Sequence, residues 1–527
     1  MTEERDKLNR RSFVGSAFGA AAGVGMSTLL ANQAGAQPPA GGQPSGPPGE
    51  ELRPSMRRPT QLYRVEADVR DCEVEGEIPS DLNGAFYRVG PDPQYPLRPR
   101  NIPFDGEGHV SMFRIKDGRV DYRSRFVRNE RYMAQDKAGK ILFPMYRNPY
   151  MDDPSVEGLS RSTANTHIIN HRNLLLALKE DSPPSAMDLL TLETVVPVYT
   201  FDEQLPSKTF TAHPKIDSET GNMVAFGYEA RGHGSDVVSV FEFTPQGKLV
   251  WNAEVTVPYV GMLHDFAVTQ RHIVFYVIPM AIDEQQMKDG GPHWSWDPSK
   301  PTYFGFFRRG GDGKDVRWIE GPTRSATHVM GAFNDGDKLY VDVEMSMSNP
   351  FPFMPMRDGS TWDPVAGSSH ITRLSVDLSQ RRPSSYGIET MYPDHVGALP
   401  RQDDRYNTVP YRYGFLPCPD PNASDRRQAG ACYARFDNQN RTSTLFNAGV
   451  DTSLAECCFA PRSADAPEGA GYLMGVATRN NEGGRADLVI LDAEHLADGP
   501  VATVRLPIRA PGQIHGWWVP EGQLPAA

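Results

Sequence analysis

The sequence predicts an all-β fold, and its length favours a seven-bladed β-propeller among the all-β architectures. Glycine and proline number 48 and 46 among the 527 residues, so turns are frequent. Between the turns lie short alternating or apolar runs without long helical periodicity. Sandwich, barrel and propeller all fit that pattern. A sandwich rarely needs the length of residues 60–527, whereas seven four-stranded blades of roughly 65 residues would use it.

Nine short runs predict individual strands, and three polar clusters predict hairpin turns between strands. The strand runs are residues 84–89, 109–115, 173–178, 223–228, 237–243, 272–278, 338–343, 471–477 and 487–491. The turn clusters are residues 116–118, 217–221 and 334–336, rich in Asp, Asn and Gly. Helical patterns are short and lie near residues 280–287 and 492–496.

The N-terminal residues predict an export signal and a linker rather than part of the fold. Arg10 and Arg11 precede a weakly apolar Ala/Gly-rich stretch, and Ala34-Gly35-Ala36 supplies small residues for cleavage. We therefore expect a twin-arginine-type signal peptide over residues 1–36 and a periplasmic protein. Residues 37–59 are rich in Pro, Gly, Gln and Ser, which is typical of a linker. No later apolar run is long enough to predict a transmembrane helix.

Composition narrows the classes of partner. A formal net charge of −12 argues against nucleic acid, whose binders carry basic patches. The negative charge also gives no reason to expect binding to an anionic membrane. Neutral small molecules therefore remain the class of ligand that composition does not exclude. Five cysteines are too few for a disulfide scaffold. Cys418 and Cys432 could pair in an oxidising periplasm, and the sequence leaves both that pairing and the oligomeric state open.

Four of the 13 histidines share a context, because each lies beside a strand-like run and a small or turn residue. They are His213, His264, His328 and His515. The intervals from His213 to His264 and from His264 to His328 each match the length of about one blade, and the interval from His328 to His515 matches about three. Equivalent positions on successive blades converge on the propeller axis, where four imidazoles could meet, and histidine is the commonest metal ligand. Spacing alone favours chance or core packing over a metal site.

The motifs around these histidines resemble those of the carotenoid cleavage oxygenases. The opening signature is Asn83–Pro93 followed by Phe104–Gly108, and the match continues through residues 163–166, the four histidine contexts and residues 491–493, and ends at residues 515–517. The resemblance covers nearly all of residues 60–520. It implies a seven-bladed propeller with a cap of loops and short helices over the iron face. It also implies Fe(II) on the axis, held by neutral His213, His264, His328 and His515.

The resemblance further implies three glutamates that accept hydrogen bonds from three of the ligands. Glu180 matches the partner of His264, and Glu456 matches the partner of His515. The third position departs from the family pattern, because Ala398 stands where a glutamate is expected before Pro400-Arg401. We expect Glu389 or Asp394, a water or a backbone carbonyl to replace it. Loss of one such partner weakens metal affinity by about 10–100-fold.

Two residues narrow the substrate within the family. Lys179 and Tyr146 match positions that hold the 4-hydroxyl of a phenolic substrate in lignostilbene-type members, so they are the predicted catalytic pair. A buried ammonium and a phenol O–H favour a bound phenolate, which activates the conjugated alkene. A carotenoid would leave the lysine unpaired. Phe351 and Phe353 are predicted to supply aromatic walls.

The expected function is a non-haem Fe(II) oxygenase. It would use O2 to cleave the side-chain double bond of a 4-hydroxylated phenylpropenoid or stilbenoid into aromatic aldehydes such as vanillin. Nothing in the sequence supports an organic cofactor. An apocarotenoid cleavage oxygenase is the nearer alternative, and a catalytically inactive periplasmic binding propeller is the alternative of another class. The exact phenolic alkene, and whether one or both oxygen atoms enter the products, are left open.

Overall fold

The computed structural model describes residues 63–98, 100–425 and 428–526. The predicted signal peptide and linker, residues 1–36 and 37–59, lie outside the described residues. The described chain is almost entirely β-structure, with only two short α-helices in those ranges, α1 (Glu130–Ala138) and α2 (Glu284–Lys288). Single 3₁₀ turns are Pro103–Asp105, Pro149–Met151, Pro154–Val156, Asp404–Tyr406, Asn480–Glu482, Leu496–Asp498 and Glu521–Gln523. None of the helices in these ranges is long and apolar enough to cross a membrane.

The described ranges contain 32 strands. The first sixteen are β1 (Ala67–Val69), β2 (Glu73–Gly76), β3 (Gly84–Asp92), β4 (Glu107–Lys116), β5 (Arg119–Phe126), β6 (His167–His171), β7 (Leu174–Leu178), β8 (Ser185–Met187), β9 (Thr194–Val196), β10 (Lys215–Ile216), β11 (Met223–Gly227), β12 (Val237–Phe243), β13 (Leu249–Thr256), β14 (Ala267–Val268), β15 (His272–Val277) and β16 (Met280–Ile282). The remainder are β17 (Trp294–Trp296), β18 (Thr302–Arg308), β19 (Arg317–Gly321), β20 (Ser325–Asp335), β21 (Lys338–Ser346), β22 (Ser369–Asp377), β23 (Gly387–Thr390), β24 (Arg401–Gln402), β25 (Tyr413–Pro419), β26 (Ala431–Asp437), β27 (Thr442–Asn447), β28 (Thr452–Pro461), β29 (Gly471–Arg479), β30 (Arg485–Asp492), β31 (Pro500–Arg509) and β32 (His515–Pro520).

Seven antiparallel sheets of four or five strands form the blades of this part of the chain, which confirms the predicted propeller. In chain order they are blade 1 (β32-β3-β4-β5-β1), blade 2 (β6-β7-β8-β9), blade 3 (β10-β11-β12-β13), blade 4 (β14-β15-β18-β19), blade 5 (β20-β21-β22-β23), blade 6 (β24-β25-β26-β27) and blade 7 (β28-β29-β30-β31-β2). The small β16–β17 hairpin is inserted between two strands of blade 4. A propeller of this kind leaves few exposed sheet edges.

The ring closes through strands from the two ends of the described chain. In blade 1, β32 pairs with β3 in antiparallel register, with Val89 opposite His515 and Gly84 opposite Pro520. In blade 7, the early strand β2 pairs with the late strand β31. Each of these two blades therefore contains strands from both ends of the sequence, which fastens the first blade to the last.

The core lies between neighbouring blades. Val240 of blade 3, Phe275 of blade 4 and Val341 of blade 5 belong to one continuous apolar cluster, and all three are buried. Further buried apolar clusters join the other neighbouring blades in the same way. The blade sheets are therefore apolar on both faces, which explains why many strands read as continuous apolar runs rather than as strict alternation. Burial of this kind stabilises the fold by about 25 cal/mol per Å² of apolar surface.

The strand predictions are confirmed at all nine runs, and the three polar clusters form hairpin turns. The turn after β4 has Asp117 and Gly118 at φ 50° and 75°, the left-handed conformations that a two-residue hairpin requires. The helix predictions were less accurate. Residues 280–282 are strand β16, and α2 begins only after Asp283, whose side chain accepts a hydrogen bond from the Gln286 backbone N–H. Helix α1 was not predicted. Residues 492–496 run from the last residue of β30 to the first residue of a 3₁₀ turn and form no α-helix.

Three connecting segments pack together over one face of the ring, at residues 140–166, 280–301 and 347–366; we call them the cap. The Asn148 side-chain amide donates to the carbonyls of Met287 and Gly291, both at 2.8 Å. The Trp296 backbone N–H donates to the Pro355 carbonyl at 2.9 Å.

Elsewhere in the ring, Cys418 and Cys432 are direct cross-strand partners in blade 6, and both carry buried free thiols.

Candidate metal centre

The four predicted histidines lie at the inner ends of four blades. His213 immediately precedes blade 3 and His264 precedes blade 4, whereas His328 lies in β20 of blade 5 and His515 begins β32 of blade 1. The interval from His328 to His515 thus spans three blade positions, as the sequence spacing predicted. The propeller places these side chains at equivalent inner positions, so residues far apart in sequence meet on the axis.

The side chains converge closely. Ligand atoms of all four lie within 4.8 Å of one another. The Nε2 atom of His264 is 3.1 Å from that of His213 and 3.0 Å from that of His328. The ring of His515 lies 4.6 Å from that of His213, centroid to centroid, and the two planes are nearly perpendicular. Three of the four residues are buried and His264 is partly buried, so the cluster is largely shielded from solvent.

Two glutamates fix the orientation of the rings at the predicted positions. His264 donates from Nδ1 to the Glu180 carboxylate. His515 donates from Nδ1 to Glu456 Oε1 at 2.7 Å, while the Gly516 backbone N–H donates to Oε2 at 2.8 Å. A proton held on Nδ1 leaves the lone pair on Nε2, so these carboxylates aim two lone pairs at the centre of the cluster.

The predicted replacement for the third glutamate was wrong, because the carboxylate beside His328 belongs to neither Glu389 nor Asp394 but to Glu344. His328 donates from Nδ1 to Glu344 Oε2 at 2.8 Å. The same carboxylate accepts from the Leu399 backbone N–H at 2.9 Å and, through Oε1, from the Thr327 hydroxyl at 2.7 Å. Glu389 instead pairs with Arg441 at an exposed site. Ala398 packs with Leu399 and Ile514, so its position needs no carboxylate.

The cross-strand geometry explains the partner that the sequence reading missed. Glu344 lies in β21 opposite a bulge in β20, between the pairs Ala326–Met345 and Val329–Val343. The bulge places the Thr327 and His328 side chains across from this one carboxylate. In the sequence Glu344 stands between Val343 and Met345, and a buried carboxylate needs a partner. Asp342 of the same strand carries the same signal, but it pairs with Arg373.

The electrostatics of the cluster suit a cation. Burial and the neighbouring imidazoles hold the pKa values of His213 and His515 well below the ordinary value, so both are neutral. Although burial opposes it, the His264 imidazole holds the pKa of Glu180 below its usual range, and Lys179 and Arg147 add to the effect. The buried Nε2 atom of His515 has no hydrogen-bond partner in the structure. Convergent lone pairs, one of them unsatisfied, fit a bound transition-metal ion.

A cavity adjoins the cluster on the cap side, and it contains three of the four residues predicted to contact substrate. Tyr146, Lys179 and Phe351 line it. Phe353 does not; it packs edge-on against Phe104, with ring centroids 5.3 Å apart, and so supports the wall from behind. The cavity has nine further lining residues. They are Phe104, Thr166, Met262, Met354 and Ile514, together with Glu180, His264, His328 and His515.

Lys179 is a buried ammonium with few partners. Its Nζ lies 3.4 Å from the Thr166 hydroxyl oxygen, 4.9 Å from the Tyr146 ring centroid and 5.7 Å from that of Phe104. Burial lowers the pKa of Lys179 and raises that of Tyr146 well above its ordinary value. An ammonium held against two aromatic faces keeps free N–H donors for an anionic or hydroxylic ligand in the cavity.

Arg147 and Tyr228 form a supporting layer that the sequence reading also missed. Tyr228 donates to Glu180 Oε2 at 3.0 Å. Arg147 lies 3.4 Å from the same oxygen and also contacts the Tyr228 hydroxyl. These donors satisfy the oxygen that His264 does not use, so the Glu180 carboxylate is held on both sides.

A second, more polar cavity reaches the histidines from the opposite side. Its lining includes His167, His213, Lys215, Asp265 and Arg401. Lys215 and Asp265 form an ion pair of 2.8 Å there. The metal-ligand candidates therefore separate a mainly apolar cavity under the cap from a charged one.

Comparison with known proteins agrees with this geometry. The family profile described as "Retinal pigment epithelial membrane protein" matches residues 61–520. The chain is 40% identical to lignostilbene-alpha,beta-dioxygenase isozyme III of Sphingomonas paucimobilis, over 88% of this chain and 96% of that protein. It is 39% identical to isoeugenol monooxygenase of Pseudomonas putida, over 86% and 95%. The solved lignostilbene dioxygenase of Pseudomonas brassicacearum superposes with a TM-score of 0.83 at 39% identity, over 87% of this chain and 97% of that one.

Proposed function

Since the chain belongs to the carotenoid cleavage oxygenase family, we propose that it is a non-haem Fe(II) oxygenase acting on phenolic alkenes. It uses O2 to cleave the side-chain double bond of a 4-hydroxylated phenylpropenoid or stilbenoid and releases aromatic aldehydes such as vanillin. The observation that carries the proposal is a buried lysine in the cavity beside the four-histidine cluster. The names of the relatives, lignostilbene dioxygenase and isoeugenol monooxygenase, point to the same substrate class.

His213, His264, His328 and His515 are the proposed ligands of the iron. Imidazole ligands suit iron as they suit zinc, copper and nickel, and four neutral ones would leave the charge of the metal uncompensated in the first coordination sphere. The family of the chain favours iron among these metals. Bound iron supplies the activation of O2. Glu180, Glu344 and Glu456 hold three ligands with Nδ1 protonated, and so keep the Nε2 lone pairs turned inward.

Lys179 and Tyr146 are the proposed recognition pair for the 4-hydroxyl group. The Lys179 N–H groups donate to the substrate oxygen, and the nearby positive charge favours its phenolate form. A phenolate pushes electron density through the ring into the conjugated double bond, which makes that bond more reactive towards an electrophilic oxidant. Phe104, Phe351 and Met354 supply apolar surface for a flat ring and keep water away from the anion.

The two alternative functions fit the site less well. An apocarotenoid carries no 4-hydroxyphenyl group, so it would leave the ammonium of Lys179 buried without a polar ligand. The inactive binding propeller would be favoured if Ala398 left His328 without a carboxylate partner, but Glu344 already holds His328.

Reconstitution tests the proposal. Protein loaded anaerobically with Fe(II) and then mixed aerobically with isoeugenol or a 4-hydroxystilbene is expected to bind iron in a one-to-one ratio and to release an aromatic aldehyde. Iron content by mass spectrometry and aldehyde by chromatography are read from the same sample. Iron binding without aldehyde from either substrate, but with cleavage of an apocarotenoid, would reverse the substrate assignment; absence of iron binding would support an inactive propeller.

We further propose that the protein is exported to the periplasm in folded form by the twin-arginine route. The support is the Arg10-Arg11 pair ahead of an apolar stretch and a small-residue cleavage site. Replacing both arginines with lysine is expected to leave the protein uncleaved in the cytoplasmic fraction, as measured by cell fractionation and the mass of the N-terminus. Unchanged cleavage and periplasmic recovery would refute this route.

A further inference from the structure

A second convergence of metal-ligating side chains lies outside the four-histidine centre, at Glu229, His233 and His293. Glu229 and His233 lie in the loop between β11 and β12, and His293 lies between α2 and β17. Ligand atoms of the three lie within 4.8 Å of one another. Glu229 and His293 are buried, whereas His233 is exposed. The cluster therefore has an inner part fixed by the fold and an outer ligand that solvent can reach.

One ring nitrogen of His293 makes no hydrogen bond, although a carboxylate oxygen lies close to it. Its Nδ1 lies 3.0 Å from the Arg147 carbonyl oxygen, which can only accept, so Nδ1 carries the hydrogen. Its buried Nε2 has no hydrogen-bond partner and lies 3.1 Å from Glu229 Oε2. In the neutral imidazole that contact opposes two lone pairs. A cation must lie between them or bind to one of them for the arrangement to be favourable.

Glu229 retains the capacity to bind such a cation. Its Oε1 accepts from the Gly234 backbone N–H at 2.7 Å, and its Oε2 accepts from Arg147 Nη2 at 2.7 Å. Each carboxylate oxygen offers two acceptor directions, so one remains on each. The charge of Arg147 is shared with Glu180, 3.4 Å away on its other side.

We propose that Glu229, His233 and His293 form a second divalent metal site, of the two-histidine, one-carboxylate type that zinc occupies with a solvent molecule as fourth ligand. Metal–ligand bonds of about 2.0–2.1 Å in a tetrahedron place the ligand atoms roughly 3.3 Å apart. The Nε2–Oε2 separation of 3.1 Å already meets that requirement. The His233 ring centroid lies 5.1 Å from that of His293, and an exposed side chain has room to close the remaining gap.

The site would join segments that hold the catalytic cavity. The loop carrying Glu229 and His233 would be tied to the cap through His293, whose backbone N–H lies 3.3 Å from the Tyr146 carbonyl oxygen. Arg147 follows Tyr146 and bridges Glu229 to Glu180. A metal here would stabilise the Tyr146 side of the cavity without touching substrate. This inference predicts metal binding rather than turnover, and it rests on the proposed function only in that its test fills the four-histidine centre with Fe(II).

The competing explanation is a metal-free ion pair between Glu229 and a protonated His293, with His233 as an ordinary surface residue. The two explanations differ in the part played by His233. An ion pair needs only the buried partners, whereas a metal site loses a ligand when the exposed imidazole is removed. His233→Ala is therefore the informative change, and its exposure makes misfolding a small risk.

The test uses protein already loaded with Fe(II), so that the four-histidine centre is filled, and titrates Zn²⁺ under anaerobic conditions. Wild-type protein is expected to bind one Zn²⁺ per chain with its iron retained, as counted by mass spectrometry after dialysis. His233→Ala is expected to lose that equivalent. His495→Ala is the matched control, because His495 is an exposed histidine 3.3 Å from the single carboxylate of Asp492; it should bind zinc as the wild type does.

A second readout is thermal unfolding. Zn²⁺ is expected to raise the Tm of the wild type and of His495→Ala in a concentration-dependent manner, and to leave that of His233→Ala unchanged. The proposal is overturned if wild-type protein binds no zinc beyond its iron, or if His233→Ala binds it equally well. Neither result bears on aldehyde formation, so failure of this inference is distinct from failure of the proposed function.

Discussion

Lys179→Met is expected to lower kcat/KM for a 4-hydroxylated substrate by about 10–100-fold. A hydrogen bond to a charged group contributes about 1.5–3 kcal/mol, and each 1.4 kcal/mol is worth a factor of about ten in rate. The loss should fall mainly on kcat if the ammonium stabilises the phenolate that activates the alkene. Methionine keeps the length and fills the space between Phe104 and Tyr146 without a charge. Steady-state kinetics with isoeugenol measure the effect.

Two controls separate recognition of the hydroxyl from general damage to the cavity. A 4-methoxy analogue cannot ionise, so wild type and Lys179→Met should turn it over at similarly low rates. Lys140→Met removes an exposed lysine that pairs with Asp153, and its kinetics should match those of the wild type. If Lys179→Met lost activity equally on both substrates, the lysine would be a packing residue and not a recognition residue.

Glu344→Gln is expected to weaken Fe(II) affinity by about 10–100-fold, the usual effect of losing an anionic partner of a ligating histidine. The amide keeps the size of the side chain but lowers the basicity it imparts to His328. Although burial opposes it, the Glu344 carboxylate raises the pKa of His328 above its ordinary value, so the two groups interact strongly in the metal-free protein. Competition with a chromophoric chelator under anaerobic conditions measures the affinity.

Glu389→Gln is the matched control for that experiment. Glu389 was a candidate partner of His328 from the sequence, but it is exposed and paired with Arg441, so its loss should leave iron affinity unchanged. Comparison of Tm values for the iron-free variants shows whether Glu344→Gln folds normally. Equal affinity for the two variants would mean that Glu344 does not contribute to metal binding.

The fold could be predicted because the chain marks its strands locally. Runs such as residues 237–243 are bounded by turn residues, and the structure reproduces that run as strand β12 without a shift. Helix α1 was not predicted because its few apolar residues form no stripe, and the side chains that it buries are those of Arg131 and Gln135. Its ends are fixed instead by the Asn129 side chain at the start and by Gly139 in a left-handed conformation at the finish.

The site was predictable only in part, for a different reason. His213, His264, His328 and His515 stand in recognisable motifs, and the propeller brings them together. Glu344 could not be placed in the same way, because its contact with His328 depends on a bulge that shifts the register of β20 against β21. Phe353 was misplaced for a similar reason. Its position in the loop suggested contact with a ligand, but Phe104 occupies the inner position.

The closure of blade 1 also determines when the metal centre can form during synthesis. His515 lies on the strand that completes that blade, opposite Val89, after every other blade has been translated. Until the ribosome has released this strand, the nascent chain holds three of the four imidazoles, and only the pairing of β2 with β31 can join its first blade to its last. The complete four-histidine set therefore forms late in synthesis, and a chain that stops short of β32 would lose a ligand and one strand of blade 1 together.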